Sequence, residues 1–195
     1  MPRRTSTTRP VVILHGWQGS GPEHWQSWLA GRLADGHEVR YPALPEAGAP
    51  VLRDWLAALD ATLAGLPDGG YDLVCHSLAV PLWLHRTAAG PVPPAPARVL
   101  LVAPPSPTRP ILEAATFYPV PLDADAVRRA AGGTVLVCAD DDPHCREGAA
   151  LAYGRPLKIP VTVLPGAGHL NGDAGFGPWP AVEQWCNRPN LAFPL

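Results

Sequence analysis

The sequence predicts an α/β protein built on about six mostly parallel strands with helices on both faces. Three observations carry this. Short apolar runs rich in Val, Leu and Ile recur along the whole chain, stretches of helical periodicity lie between them, and each run is bounded by Pro, Gly or Asp. A strand covered on both faces reads as a continuous apolar run rather than an alternation, so these runs fit buried parallel strands.

In chain order the predicted strands are Val11-Val12-Ile13-Leu14, Val39-Arg40-Tyr41, Asp72-Leu73-Val74-Cys75, Val99-Leu100-Leu101-Val102, Val135-Leu136-Val137-Cys138 and Val161-Thr162-Val163-Leu164. The first helix follows Ser20-Gly21-Pro22-Glu23, where Ser20 is placed to cap and Glu23 to close a capping box; Trp25, Trp28, Leu29, Arg32 and Leu33 then share one face. Leu52, Trp55, Leu56, Leu59 and Leu63 mark a second helix, and a third follows Ser77. Further helices are expected over about 123–131, 145–154 and 180–187. Residues 1–9 are read as a flexible tail and 10–195 as one domain, without internal repeats.

Composition narrows the function. The 195 residues carry 17 acidic and 15 basic side chains, a net charge of −2, and a single lysine, Lys158, so no basic stripe is present to neutralise a phosphate backbone. Nucleic acid is therefore excluded as a partner. Cys75, Cys138, Cys145 and Cys186 include no CxxC pair, which argues against a zinc site or a disulfide framework. Arg3-Arg4 is followed by only four apolar residues before His15, too few for a signal segment or a membrane span, and a cytoplasmic protein is expected. The 26 prolines and 19 glycines fall just short of the range of disordered chains, so the prolines should punctuate a globular fold. Pro81 is the exception, tolerable only in the first turn of the third helix.

In such a sheet, ligands bind at the carboxyl ends of the strands. There the third strand runs through Cys75-His76 into Ser77-Leu78-Ala79, the pattern of a serine on a sharp strand-to-helix turn with helical N–H groups beside it. An ordinary helix cap is the competing reading of Ser77. A serine nucleophile needs a histidine to take its proton and an acid to fix that histidine's tautomer. Asp140-Asp141-Asp142-Pro143 follows the fifth strand and Gly168-His169-Leu170-Asn171 the sixth, giving the chain order Ser, Asp, His. His15-Gly16-Trp17, after the first strand, supplies a turn for a second oxyanion donor beside the N–H of Leu78.

These segments carry a resemblance. His15-Gly16-Trp17-Gln18-Gly19-Ser20 with His24-Trp25-Gln26, His76-Ser77-Leu78, Asp141-Asp142-Pro143, and Gly168-His169-Leu170-Asn171 with Gly175-Phe176-Gly177-Pro178-Trp179-Pro180 are similar to the RBBP9/YdeN family of small serine hydrolases, within the α/β-hydrolase superfamily. The similarity runs from about Val11 to Trp185. It implies Ser77 as nucleophile, Asp142 as acid, because the family aspartate directly precedes a proline, and His169 as base. The departures are Ala79, where the family commonly has glycine, and Cys75, where alanine or glycine is usual.

The reading that follows is a carboxylesterase-like serine hydrolase with a small-molecule acyl substrate, working through an acyl-enzyme on Ser77. Oxyanion donors are the backbone N–H groups of Leu78 and Trp17, and His15, Gly16, Trp17 and Trp179 are candidates for substrate binding. Neither a cofactor nor a metal is expected: there is no GxGxxG after the first strand and no P-loop lysine, and the neighbours His144 and Cys145 lack a third ligand. His76 is expected to pack or hydrogen-bond under the active edge, and Asn171 to tie down its loop. His24 and Trp25 are candidates for the pocket mouth, although a tryptophan on a helix face is more commonly core. A hydrolase-fold interaction protein without catalysis, and a thioesterase or amidase, are the alternatives. No protein partner is indicated, and the connection over 104–133 leaves little material for a lid.

Overall fold

The computed structural model describes residues 8–190 and 192–194. Most of the expected tail lies outside the described residues; Arg9, at its end, reaches the buried carboxylate of Asp72 at 3.5 Å. Six strands, β1 (Val11–Leu14), β2 (Val39–Arg40), β3 (Asp72–His76), β4 (Arg98–Val102), β5 (Thr134–Ala139) and β6 (Val161–Leu164), form one open sheet in the order β2-β1-β3-β4-β5-β6, and every neighbouring pair is parallel. This is the α/β-hydrolase fold. The order reverses between β1 and β3, the point at which such sheets open a crevice above their carboxyl ends.

Strand alternation divides the core. Val12, Leu14, Leu73, Cys75, Val99 and Leu101 point to one face, where α2 (Leu52–Leu63), α3 (Ala79–Ala88), α4 (Ala124–Ala130) and α5 (Arg155–Leu157) pack. Val11, Ile13, Val74, Leu100 and Val102 point to the other, beneath α1 (Trp25–Leu33) and α6 (Pro180–Asn187). Strands β1, β3 and most of β4 are buried along their length, whereas β6 lies at an edge and leaves Val161 and Val163 exposed.

Two helix starts differ from expectation. The Ser20–Glu23 capping box does not form: α1 begins at Trp25, and the N-cap is His24, whose Nδ1 accepts the N–H of Gln26. The later start turns Gln26, not Arg32, into the core, where its Nε2 donates to the Leu14 carbonyl, while Arg32 faces outward and pairs with Glu183 of α6. The helix expected from 145 starts at Ala150 as a π-helical turn to Gly154 that continues into α5. Gly148 causes the delay: it sits at φ 79° and donates its N–H to the Cys145 carbonyl, closing a turn first. Pro81 is the third residue of α3, so its missing N–H is one the helix would not have paired.

The connection from β4 to β5 holds a 3₁₀ turn, Leu112–Phe117, and α4. It packs on the α2/α3 face, with the Phe117 ring edge-on to Trp55 at 5.3 Å. Among the described residues, no helix is long and apolar enough to cross a membrane.

At the amino ends of the central strands Asp72 is fully buried and holds the Arg98 guanidinium through both carboxylate oxygens. Arg98 in turn donates to the Trp185 and Arg188 carbonyls and lies over the Trp185 ring at 4.0 Å, latching α6 to β4. Removing one partner of a buried ion pair leaves an uncompensated charge. Arg98→Leu should therefore cost about 3 kcal/mol in urea unfolding, the low end for such pairs because Arg9 remains; a loss below about 1 kcal/mol would contradict this account.

Candidate active site

Ser77 closes β3 in the left-handed region, with φ 54°. For a residue with a side chain this conformation costs of order 1–3 kcal/mol, so the surroundings must enforce it. They do so through two backbone bonds: the Ser77 N–H donates to the Val102 carbonyl on β4, and the Ser77 carbonyl accepts the N–H of Val80 in the first turn of α3. The turn closes with Cys75 and Ala79 in the flanking positions, both fully buried. Burial pushes the Cys75 thiol well above its ordinary range, leaving it a packing residue.

Clearance beside the serine comes from another strand. A Cβ on Gly16 would lie 2.6 Å from Ser77 Cβ, 3.1 Å from its Oγ and 3.2 Å from the His76 carbonyl. Only glycine lets the turn after β1 approach so closely. His15 fixes that turn: its Nδ1–H donates to the Gly16 carbonyl at 2.8 Å and its Nε2 accepts the Leu44 N–H at 2.9 Å.

The remaining groups arrive from β5 and β6. Ser77 Oγ donates to His169 Nε2 at 2.9 Å, and His169 Nδ1–H donates to Asp142 at 2.8 and 3.0 Å from the two carboxylate oxygens. Ser77, Asp142 and His169 are all buried. Asp142 also accepts the His144 N–H. His169 stands between Gly168 at φ 55° and Leu170 at φ 49°, a left-handed conformation that glycine adopts freely and that is strained at Leu170. That loop is clamped from four sides: Asp140 and Asp141 accept the N–H groups of Gly166 and Gly168, His76 Nε2–H donates to the His169 carbonyl, and Trp25 Nε1–H donates to the Leu170 carbonyl. Asn171 caps the following 3₁₀ turn by accepting the Ala174 N–H.

A cleft of about 450 Å³ opens over Ser77, lined among others by Gly16, Trp17, His24, His76, His169 and Asn171. Two sequence candidates lie outside this lining. The His15 side chain is spent on the turn and faces away, and Trp179 packs into the core between Trp25, Phe176 and Phe193 at 5.0–5.8 Å. Trp25 is likewise core, whereas its neighbour His24 lines the cleft. Sequence reasoning missed the clamps made by Asp140 and Asp141. Their signal was present in the run of three aspartates after the fifth strand and the glycines at 166 and 168 after the sixth.

His15, His24, His76 and His144 are all held below the ordinary imidazole range. Burial is the leading cause in each; the charge of His169 is the next for His24, His76 and His144, and His24 is brought to about 4. Among the described residues, no group of three or more His, Cys, Asp or Glu side chains is arranged to hold a metal ion.

The model of a protein family described as serine hydrolase matches residues 11–188. YdeN of Bacillus subtilis strain 168, named as a hydrolase, is 39% identical over 79 residues, which make up 40% of this chain and about two fifths (41%) of YdeN. The crystal structure of that ydeN gene product matches with a TM-score of 0.80 and 25% identity, covering 92% of this chain and 97% of that one. A YdeN-like hydrolase of Pectobacterium atrosepticum (TM-score 0.72, 23% identity, 97% and 95% coverage) and the thioesterase domain of the curacin biosynthetic pathway (0.63, 17%, 94% and 92%) share the fold.

Two outcomes test this geometry. Gly16→Ala should displace Ser77 and slow its labelling by a fluorophosphonate about 10²-fold, with the circular dichroism spectrum retained; unchanged labelling would mean that the contact is dispensable. The unfolded chain protonates His15, His24, His76 and His144 near pH 6.5, while the folded chain resists, so at these four it binds fewer protons than the unfolded one below that pH. Stability from these groups is therefore whole above pH 6.5 and lost as pH falls toward about 4, the His24 value. The melting temperature should fall across that window, and less steeply in His24→Asn; a rise on acidification would contradict the reading.

Proposed function

The chain belongs to the serine hydrolase family, and from that premise we propose that it cleaves a carboxylic ester or related acyl compound through an acyl-enzyme on Ser77. The observation that carries this is the unbroken relay from Ser77 Oγ to His169 Nε2 at 2.9 Å and from His169 Nδ1 to Asp142 at 2.8 Å, assembled from three strand ends beneath an open cleft.

Ser77 Oγ attacks the substrate carbonyl while His169 Nε2 takes the hydroxyl proton, and Asp142 holds the imidazole in the tautomer that leaves Nε2 unprotonated and stabilises the imidazolium once formed. The N–H groups of Leu78 and Trp17 donate to the oxyanion. As the tetrahedral intermediate collapses, the bond to the leaving oxygen breaks and His169 returns its proton to that oxygen, releasing the alcohol. Water then enters, gives a proton to His169 and attacks the acyl-Ser77 carbonyl. A second collapse frees the acid and restores the Ser77 hydroxyl. None of the β4–β5 connection lines the cleft, which supports substrates that reach the serine without displacing a lid. The four cysteines are buried and unpaired, which supports the cytoplasmic location expected from the sequence.

Ser77→Ala should abolish fluorophosphonate labelling and lower hydrolysis of p-nitrophenyl acetate by about 10⁴-fold or more. Asp142→Asn should lower kcat by roughly 10³–10⁴-fold, because an amide no longer enforces the tautomer. Native protein that takes no label and turns over no ester would favour a non-catalytic, interaction role instead.

A further inference from the structure

Two imidazoles in the cleft wall each keep one nitrogen that no described residue occupies. His24 Nδ1 accepts the Gln26 N–H, which places the ring proton on Nε2 as a donor. His76 Nε2–H donates to the His169 carbonyl, which leaves Nδ1 as an unprotonated acceptor. Both side chains line the cleft that exposes Ser77, both are more than nine-tenths buried at 8% and 4% exposure, and their ring centroids lie 4.9 Å apart, edge-on. Burial keeps both rings uncharged at neutral pH. The two open nitrogens are not sealed from solvent, so a donor and an acceptor on neighbouring rings of the cleft wall are available for a ligand's hydrogen bonds.

The rest of the lining limits what that ligand is. It includes no lysine or arginine and no aliphatic side chain larger than proline, and it places the carboxylates of Glu23 and Asp173 at the rim. A long acyl chain would find no apolar side chain beyond Trp17 and Pro22 to cover it, and an anionic group would meet carboxylates with no lysine or arginine to balance it.

We infer that the substrate carries a neutral hydroxyl close to the scissile carbonyl, with His24 Nε2–H donating to the hydroxyl oxygen and His76 Nδ1 accepting its proton. This rests on Ser77 being the nucleophile, as proposed above, and narrows that reading to short hydroxylated esters. A site built to hydrogen-bond a hydroxyl rejects the analogue that lacks it.

The test compares kcat/KM within two pairs: p-nitrophenyl 3-hydroxybutyrate against butyrate for a hydroxyl on the acyl side, and 2-hydroxyethyl acetate against ethyl acetate for one on the alcohol side. The hydroxylated member of at least one pair should be preferred by about tenfold or more. In His24→Asn the amide oxygen still caps α1 but the amide falls short of the Nε2 position, and the preference should shrink at least about fivefold. Ratios within about twofold in both pairs, a ratio unchanged in His24→Asn, or p-nitrophenyl octanoate as the best substrate would each overturn the inference. The wild-type ratios decide the matter should His24→Asn fail to fold. Labelling of Ser77 separates the failures: labelled protein without a hydroxyl preference overturns this inference alone, whereas native protein without Ser77-dependent labelling removes the proposed function and this inference with it.

Discussion

The contact between Gly16 and Ser77 is the constraint on which the site depends. Strands β1 and β3 are neighbours in register, Leu14 opposite Cys75, so both end at the same level and their following turns must share one small volume. The serine occupies it in a strained left-handed conformation, and the turn after β1 fits only because residue 16 has no Cβ. Parallel strands explain why this concerns function and not packing alone. All six point their carboxyl ends the same way, so the groups that follow β1, β3, β5 and β6 meet without any excursion of the chain. The crevice lies where the sheet order reverses, between the two strands whose turns touch.

The left-handed turn at Ser77 has a counterpart at His169. His169 lies between two left-handed residues on a loop after an edge strand, the least supported place in the sheet. What holds it is drawn from three other segments: two aspartates from the end of β5, His76 from β3 and Trp25 from α1. The aspartate run thus divides its labour, two members gripping the backbone of the loop and the third gripping the imidazole. His76 adjoins the serine in sequence and holds the carbonyl of His169, so the two sides of the Ser77–His169 hydrogen bond are tied by a second, shorter route.

Much of this was legible in the sequence because the signals were local or repeated. All six strands announced themselves as apolar runs closed by breakers, and Ser77, Asp142 and His169 each followed such a run, so placing the strands also placed the groups. The misreadings have a common physical origin in partners distant along the chain. Ser20 and Glu23 have the spacing of a capping box, yet His24 caps α1 because Gln26 is pulled inward by the Leu14 carbonyl. Trp179 belongs to the motif around His169 but is captured by Trp25, Phe176 and Phe193, aromatic neighbours that no spacing rule brings together. Position along a strand determines which edge a residue reaches; which way its side chain turns is decided by what packs there.

The histidines around the serine make the last step of the argument electrostatic. In the proposed mechanism His169, on taking the Ser77 proton, becomes a cation whose ring lies 5.1 Å from that of His76 and 4.3 Å from that of His144. A second positive charge at about 5 Å would oppose it by roughly 3 kcal/mol at an effective dielectric of about 20, enough to slow the step more than 100-fold. Burial of the neighbouring rings prevents this, because it makes them poor proton acceptors at neutral pH. The imidazoles can then supply hydrogen bonds without charge: His15 to the turn after β1, His76 to the base loop, and His24 to the start of α1. The same desolvation that costs the fold stability in acid leaves the developing imidazolium with one close electrostatic partner, the Asp142 carboxylate, which is placed to stabilise it.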